Sequence, residues 1–191
     1  IQSVIRPHRD DFQDFRGYAG RVESGVFKVN DKVKVLPSGF TSRIKQIFIG
    51  NKKVNHAYPP MSVSITLNDD IDISRGDMLV RENNLPMTKQ DYHLIVNWMS
   101  KKNLEIGQKL EIKHTTNETK AKVMEILYEV DINSLHRNEN VKSLSLNSIG
   151  RIKIRTAKPI LADKYNQNRH TGSLILVDPL TNETLGGGLI L

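Results

Sequence analysis

Hydrophobic and polar residues alternate along most of the chain with a period of two. In "SVSITLN", residues 62–68, the apolar residues Val63, Ile65 and Leu67 are separated by polar ones. Alternate side chains point to opposite faces of a strand, so this pattern predicts a strand with one buried face. The same alternation occurs in "DKVKV" (31–35), "QKLEIKH" (108–114), "ILYEVDI" (126–132), "LSL" (144–146) and "RIKIR" (151–155).

Turn signals separate these segments, and convincing helical periodicity is almost absent. Asn, Asp, Gly and Pro cluster in stretches such as "PSG", "YPP" and "DPLTNET". The best candidate for a short helix or a helical turn is "LADKYNQNR", residues 161–169. Many short strands divided by turns predict an all-β fold, a sandwich or a barrel.

One change of composition marks a domain boundary. The segment "RENNLPMTKQD", residues 81–91, places two Asn, a Pro and charged residues between strand patterns and divides the chain into nearly equal halves. We therefore predict two small β-barrels in tandem, over residues 1–86 and 87–191. The halves share no obvious repeat, so they need not be copies of one another.

The amino-acid composition excludes several classes of site and of protein. The 191 residues include no Cys, which excludes disulfides, thiolate zinc sites and cysteine nucleophiles and favours a cytoplasmic location. No apolar run approaches the ~20 residues that span a bilayer, so no membrane partner is expected. The chain begins with Ile inside a strand-like segment, which suggests a piece of a longer protein.

The net charge of +7 raises the question of nucleic acid. Basic residues are spread singly between apolar ones, as at Lys32, Lys34 and Lys109, and the longest basic runs are pairs such as Lys52–Lys53. Scattered charges are typical of solvated sheet faces, so a nucleic-acid partner is not the expectation.

No sequence motif predicts a catalytic, cofactor-binding or metal-binding residue in this chain. A P-loop and a G-x-S-x-G elbow are both missing, and the six His do not recur at a metal-ligand spacing. The carboxylates in "NDDIDISRGD", residues 68–77, lack the Gly and Glu of a calcium loop, so they predict a turn. The run of three Gly at 186–188 predicts a bulge or a close strand crossing.

The longest motifs resemble a known family. Residues 8–47, "HRDDFQDFRGYAGRVESGVFKVNDKVKVLPSGFTSRIKQI", resemble the second domain of translation-factor-type GTPases. Together with "DDIDISRGDMLVRENNLP", they are more particularly similar to the GTPase subunit of heterodimeric bacterial sulfate adenylyltransferases. The segments "LEIGQKLEIKHTT", "LNSIGRIKIRTAKPILADKY" and "NRHTGSLILVDPLTNET" resemble the third domain of that subunit. Asn30 replaces the commoner Gly of the family's "GD" turn, and Asn tolerates the same left-handed backbone.

The resemblance implies a fold and a function. The barrels would be like domains 2 and 3 of elongation factor Tu, in a regulatory subunit that couples GTP hydrolysis to synthesis of adenosine 5′-phosphosulfate from ATP and sulfate. GTP and Mg²⁺ would bind in a GTPase domain that precedes Ile1 and is absent from this chain. The partners would be that GTPase domain and the small subunit that transfers the adenylyl group, and this chain alone would be catalytically inactive.

The stretch "DFRGYAG", residues 14–20, is the candidate interface. We hypothesise that Gly17 and Gly20 permit a bulge or close backbone approach at the barrel rim, so that Arg16 and Tyr18 project toward the GTPase domain, with Arg21 beside them. The alternative is that Phe15 and Tyr18 are ordinary core aromatics and Arg16 is a solvated charge.

A second functional class remains open at this point. The same two barrels and basic surface would suit an RNA-binding fragment of a translation elongation or initiation factor. The "DFRGYAG" form of the motif favours the sulfate enzyme.

Overall fold

The structure, a computed structural model, describes residues 1–6 and 16–191. They form strands joined by turns, with no helix among them. The chain divides into two compact units, Ile1–Leu85 and Pro86–Leu191, where the sequence placed the boundary after residue 86. The predicted all-β class is confirmed.

The first unit contains one large sheet. Its strands lie in the order β1-β2-β8-β5-β4-β9, with β6 paired to β5, while β3 and β7 form a separate pair. Two main-chain hydrogen bonds connect its ends, from Ile1 N to Asp77 O at 2.6 Å and from Gly76 N to Ile1 O at 3.0 Å. The strands are β1 (Ser3–Ile5), β2 (Gly17–Arg21), β3 (Phe27–Lys28), β4 (Lys32–Leu36), β5 (Thr41–Ile49), β6 (Lys52–Val54), β7 (His56–Ala57), β8 (Ser62–Leu67) and β9 (Met78–Val80).

The alternating apolar residues of the first unit form its core, as the sequence predicts. Val33 and Val35 on β4 are fully buried, and so are Ile44 and Ile47 on β5. The β3–β4 connection is a tight turn in which Asn30 has a φ of +72°, the left-handed conformation that Asn tolerates.

The second unit is a closed six-stranded barrel. Its strands follow the order β12-β17-β18-β10-β16-β13, and β13 pairs back with β12 to complete the ring. All of these pairings are antiparallel. The strands are β10 (Met87–Trp98), β11 (Leu104–Glu105), β12 (Lys109–His114), β13 (Asn117–Val130), β14 (Arg137–Asn138), β15 (Ser143–Leu144), β16 (Ile149–Ala162), β17 (Ser173–Val177) and β18 (Thr184–Ile190).

The core of this barrel is built on its inward-facing residues. Trp98 has no exposed surface, and its indole Nε1 donates a hydrogen bond to Lys102 O at 2.7 Å. That bond satisfies the one polar atom of the ring, as buried indoles require. The predicted strand residues Leu110 and Ile112 are buried in the same core.

The triple-glycine run lies in β18, where it allows close packing. A Cβ on Gly186 would lie 2.5 Å from Asn97 O, and one on Gly188 would lie 3.0–3.1 Å from leucine side-chain atoms. The register between β17 and β18 also shifts beside Leu176, so both the bulge and the close approach expected from the run occur.

Three expectations from the sequence differ from the structure. The proposed boundary segment already enters β10 at Met87, because its residues pair with the end of β16. Ile132 and Leu146 lie outside strands and are 65% and 45% exposed, since the chain turns away from the core before each of them. Residues 161–169 do not form the short helix, but they contain the alternative, a helical turn, in which Asn168 N donates to Lys164 O four residues earlier at 3.0 Å.

Candidate interface site

The predicted interface residues lie on or just before β2, an interior strand of the first sheet. β2 pairs with β1 on one side and with β8 on the other, and neither pairing has a register shift. The bulge that we expected around Gly17 and Gly20 is therefore absent. Both neighbours hold β2 in regular pairing, so the stretch is part of the sheet rather than a projecting rim.

Tyr18 points into the core. Its side chain is 2% exposed, and its hydroxyl donates a hydrogen bond to Ile71 O at 2.6 Å. Burial raises the pKa of the Tyr18 phenol, and the hydrogen bond and charge of Arg16 offset part of that rise. The outward orientation predicted for Tyr18 is wrong, and Tyr18 is the core aromatic of the alternative interpretation. Phe15 lies outside the described residues.

Arg16 contacts the same carbonyl from the end of the strand. Its Nη1 atom donates to Ile71 O at 3.0 Å and to Asp70 Oδ1 at 2.5 Å. The Arg16 side chain is 22% exposed, whereas the Asp70 side chain is 81% exposed. Arg16 is therefore a largely covered cation whose carboxylate partner faces solvent, not a solvated charge.

The segment that Arg16 and Tyr18 hold is the connection from β8 to β9, residues 68–77, which we call the acidic connector. Two further contacts from side chains outside the connector hold its carboxylates. Ser42 Oγ donates to Asp69 Oδ2 at 2.7 Å, and Arg6 lies 3.7 Å from Asp72. The carboxylates predicted to mark a turn are thus the partners of cations and a hydroxyl on other parts of the first unit.

The remaining predicted residues do not join this cluster. Gly17 is buried, and Arg21 is exposed, with its guanidinium 3.8 Å from Glu23. A Cβ on Gly20 would meet Ile1 and Gln2 main-chain atoms only at ordinary distances of 3.6 Å or more. Steric limits therefore do not require a glycine at position 20. Whether this stretch forms an interface stays a prediction.

The sequence alone did not predict that "DFRGYAG" contacts the acidic connector. Asp70 and Ile71 are more than 50 residues from Arg16, and their contact depends on the pairing of β2 with β8. The signal present was electrostatic, because an acidic run at 69–72 complements the cations at 6 and 16.

The site holds a connection in place rather than performing chemistry. The paired groups are a guanidinium, a carboxylate, a phenol and a main-chain carbonyl, and none is an activated nucleophile. Among the residues that the structure describes, no group of three or more His, Cys, Asp or Glu could hold a metal ion. In the same ranges, no helix is long and apolar enough to cross a membrane.

Comparison with known proteins identifies the family of this chain. The family described as GTP-eEF1A C-terminal domain-like matches residues 91–191, more than half of the chain. The chain belongs to this family.

The curated relatives of this family member match over its whole length. It is 47% identical over 192 residues to the protein named bifunctional enzyme CysN/CysC of Mycobacterium tuberculosis (strain ATCC 25618 / H37Rv), covering 100% of the chain and 31% of that protein. It is 41% identical to sulfate adenylyltransferase subunit 1 of Bacteroides fragilis (strain YCH46), covering 100% of the chain and 39% of that subunit. The predicted resemblance to the sulfate adenylyltransferase GTPase subunit is confirmed. The chain spans less than half the length of these relatives.

Solved structures of sup35 show the same fold. The structure of sup35 complexed with GDP matches with a TM-score of 0.86 over 99% of this chain and 45% of that one. Sup35 complexed with GMPPNP matches with a TM-score of 0.83 over 92% and 43% of the two chains. Both are 16% identical to this family member, so the likeness concerns the fold alone.

Proposed function

We propose that the chain is the barrel region of the GTPase subunit of sulfate adenylyltransferase. In the complete enzyme it couples GTP hydrolysis to the formation of adenosine 5′-phosphosulfate from ATP and sulfate. The observation that carries this proposal is the 41% identity, over the whole chain, to a protein named sulfate adenylyltransferase subunit 1.

The proposal divides the work among three parts of the enzyme. GTP and Mg²⁺ bind in the GTPase domain of the parent protein, and adenylyl transfer takes place on the partner subunit. The residues of the present chain do not fit a nucleotide–metal site, because its sequence lacks the P-loop that cradles phosphates. We propose that its contribution is mechanical and is exerted in the cytoplasm.

Coupling needs an element whose arrangement depends on the bound nucleotide. We assign the contact with the GTPase domain to the solvent-facing side of the Arg16–Asp70 pair and to Arg21. Gly17, Tyr18 and Gly20 support this contact from within the sheet. A shift of the acidic connector would then be transmitted to β8 and β9, because the connector joins those two strands.

The test uses the complete subunit assembled with its partner subunit. Formation of adenosine 5′-phosphosulfate is measured with and without GTP for the wild type, for Arg16→Ala and for the control Arg81→Ala. Arg81 is an exposed arginine of the same unit, outside the acidic connector, whose guanidinium donates to Val26 O at 3.4 Å. We expect Arg16→Ala to lower the GTP stimulation roughly fivefold or more, the smallest effect typical of an allosteric coupling, with GTP affinity unchanged.

Two results would count against the proposal in different ways. A wild-type enzyme that forms no adenosine 5′-phosphosulfate would overturn the assigned function. Normal GTP stimulation in Arg16→Ala would leave that function intact and remove the coupling role of the Arg16–Asp70 pair.

A further inference from the structure

Two neighbouring strands of the first unit gather four cations on one outer face. Lys32 and Lys34 lie on β4, and Arg43 and Lys45 lie on β5. The residues between them, among them Val33 and Ile44, are fully buried, so the four basic side chains lie on the opposite, solvent side. We call these four residues the basic face.

The register brings like charges together. Lys32 is the cross-strand partner of Arg43, and Lys34 pairs with Thr41. Side chains two residues apart on one strand are about 6.6 Å apart, and cross-strand partners are about 5 Å apart. The basic face is therefore a compact block rather than a scatter of charges, which the sequence alone could not show.

Neutralisation of the basic face is incomplete. Glu82 lies 2.7 Å from Lys32, and Arg43 donates to Asn30 O at 3.0 Å. Among residues 1–6 and 16–191, no hydrogen bond or ion pair is formed by the ammonium of Lys34 or of Lys45.

The barrel of the second unit places both opposite and like charges in register. Lys122 lies opposite Lys109 and Arg155, and Arg151, Lys153 and Arg155 occupy alternate, outward-facing positions of β16. Like charges directly opposite one another destabilise a sheet, so the basic face costs the first unit stability that an opposite-charge register would not. The complementary pairs of the second unit are Glu111–Lys120, Lys113–Glu118, Glu125–Lys153 and Asp91–Arg155.

We propose that the basic face docks an acidic surface of the other subunit of the enzyme. This inference rests on the proposed function, which supplies a second subunit. Carboxylates of that surface pair with Lys34 and Lys45, and the whole block attracts them during the encounter, because complementary charge raises association rates and fixes orientation.

The form of the basic face favours a protein rather than RNA. The block occupies only two outward-facing positions on each of β4 and β5. A polynucleotide needs a longer basic track, usually with aromatic platforms for the bases. A cluster of carboxylates needs only a compact set of cations.

The test compares two charge reversals in the complete subunit. Association with the partner subunit is measured by surface plasmon resonance over a salt series for the wild type, for Lys34→Glu/Lys45→Glu and for the control Lys52→Glu/Lys53→Glu. The control lies on β6 of the same unit and makes the same change of charge. We expect the first variant to lower the association rate about tenfold or more at low salt and to weaken its salt dependence, with little effect of the control. If the charge reversals unfold the unit, Lys34→Gln/Lys45→Gln is measured in their place. We expect this variant to lower the association rate by a smaller factor.

The outcomes separate this inference from the proposed function. An active wild-type enzyme whose association is insensitive to both Lys34/Lys45 variants overturns the docking role alone. Equal weakening by the control overturns it as well, because only the overall charge would then matter. A wild type that does not associate with the partner subunit overturns both proposals. Salt-resistant RNA binding that the Lys34/Lys45 variants abolish assigns the basic face to RNA instead.

Discussion

At the scale of single residues, the Tyr18 side chain joins the core of the first unit to the acidic connector. The ring is 2% exposed, and its hydroxyl donates to Ile71 O at 2.6 Å. We expect Tyr18→Ala to lower the free energy of unfolding by about 3–5 kcal/mol, as large aromatic truncations in cores do. Urea denaturation of the chain measures this loss.

The conservative variant separates the ring from its hydroxyl. Tyr18→Phe keeps the packing, and Arg16 still donates to Ile71 O, so the loss should be about 1 kcal/mol. If Tyr18→Ala unfolds at the same urea concentration as the wild type, the ring does not stabilise the core.

His114 makes the stability of the second unit depend on pH. The imidazole is 2% exposed, and its Nε2 atom bonds Thr171 O at 2.7 Å. Burial lowers the pKa of His114, although the Thr171 bond and the charge of Asp163 act in the opposite direction. The unfolded chain then binds a proton at a higher pH than the folded chain does. The contribution of His114 is complete above its unfolded pKa of about 6.5 and is lost as pH falls toward the folded value.

We expect the wild type to lose up to about 1.4 kcal/mol of stability per pH unit through His114 below pH ~6.5. Urea denaturation at several pH values, compared with His114→Gln, isolates this contribution. His56→Gln is the matched control, since it makes the same substitution at an exposed histidine and removes no buried imidazole. Parallel profiles for the wild type and His114→Gln would contradict the expectation.

At the scale of elements, β18 depends on one glycine and not on its neighbour. A Cβ on Gly186 would lie 2.5 Å from Asn97 O, a main-chain atom that cannot rotate away, whereas a Cβ on Gly187 meets nothing within 4 Å. Gly186→Ala should therefore cost about 1–3 kcal/mol, the usual range for overpacking. Gly187→Ala should cost nothing, because Ala is entropically easier to order than Gly. Thermal unfolding of both variants tests this difference. Equal melting temperatures would show that β18 and β10 move apart to accommodate the Cβ at position 186 at no cost in stability.

The alternation of apolar and polar residues predicted the strands that have one solvent-facing and one buried face. The prediction failed where the chain leaves such a strand. Val33 and Ile112 are buried as expected, because a period of two is a local property of the sequence. Ile132 continued the same period but is exposed, because the turn that follows Val130 is set by hydrogen bonds from Asn133 and Ser134 to the Asp131 carboxylate.

The candidate site was predictable only in part. The sequence singled out Arg16 and Tyr18 from their motif, but it assigned both of them an outward orientation. Their common acceptor is the carbonyl of Ile71, and a main-chain carbonyl leaves no trace in composition or spacing. Register between distant strands decides such contacts, and a one-residue slip would reverse the face of every side chain.

At the scale of the whole molecule, the chain has a net charge of +7, which attracts anions, and its sequence contains no P-loop. We expect no GTP binding by this chain in the presence of Mg²⁺. Calorimetric titration with GTP measures this directly, and a micromolar dissociation constant would falsify the expectation. Titration with ATP as a control distinguishes guanine recognition from weak attraction of any polyphosphate.

The position of β18 has a consequence for biosynthesis. β18 lies between β10, the first strand of the second unit, and β17, so the ring closes only through residues 184–190. Before residues 184–190 have been translated, β10 can pair only with β16 and β17 only with β12, so each of them keeps one unpaired edge. Contacts between residues so far apart in sequence form slowly, and open strand edges favour aggregation. We therefore expect the nascent second unit to need protection by a chaperone until Ile190 has left the exit tunnel.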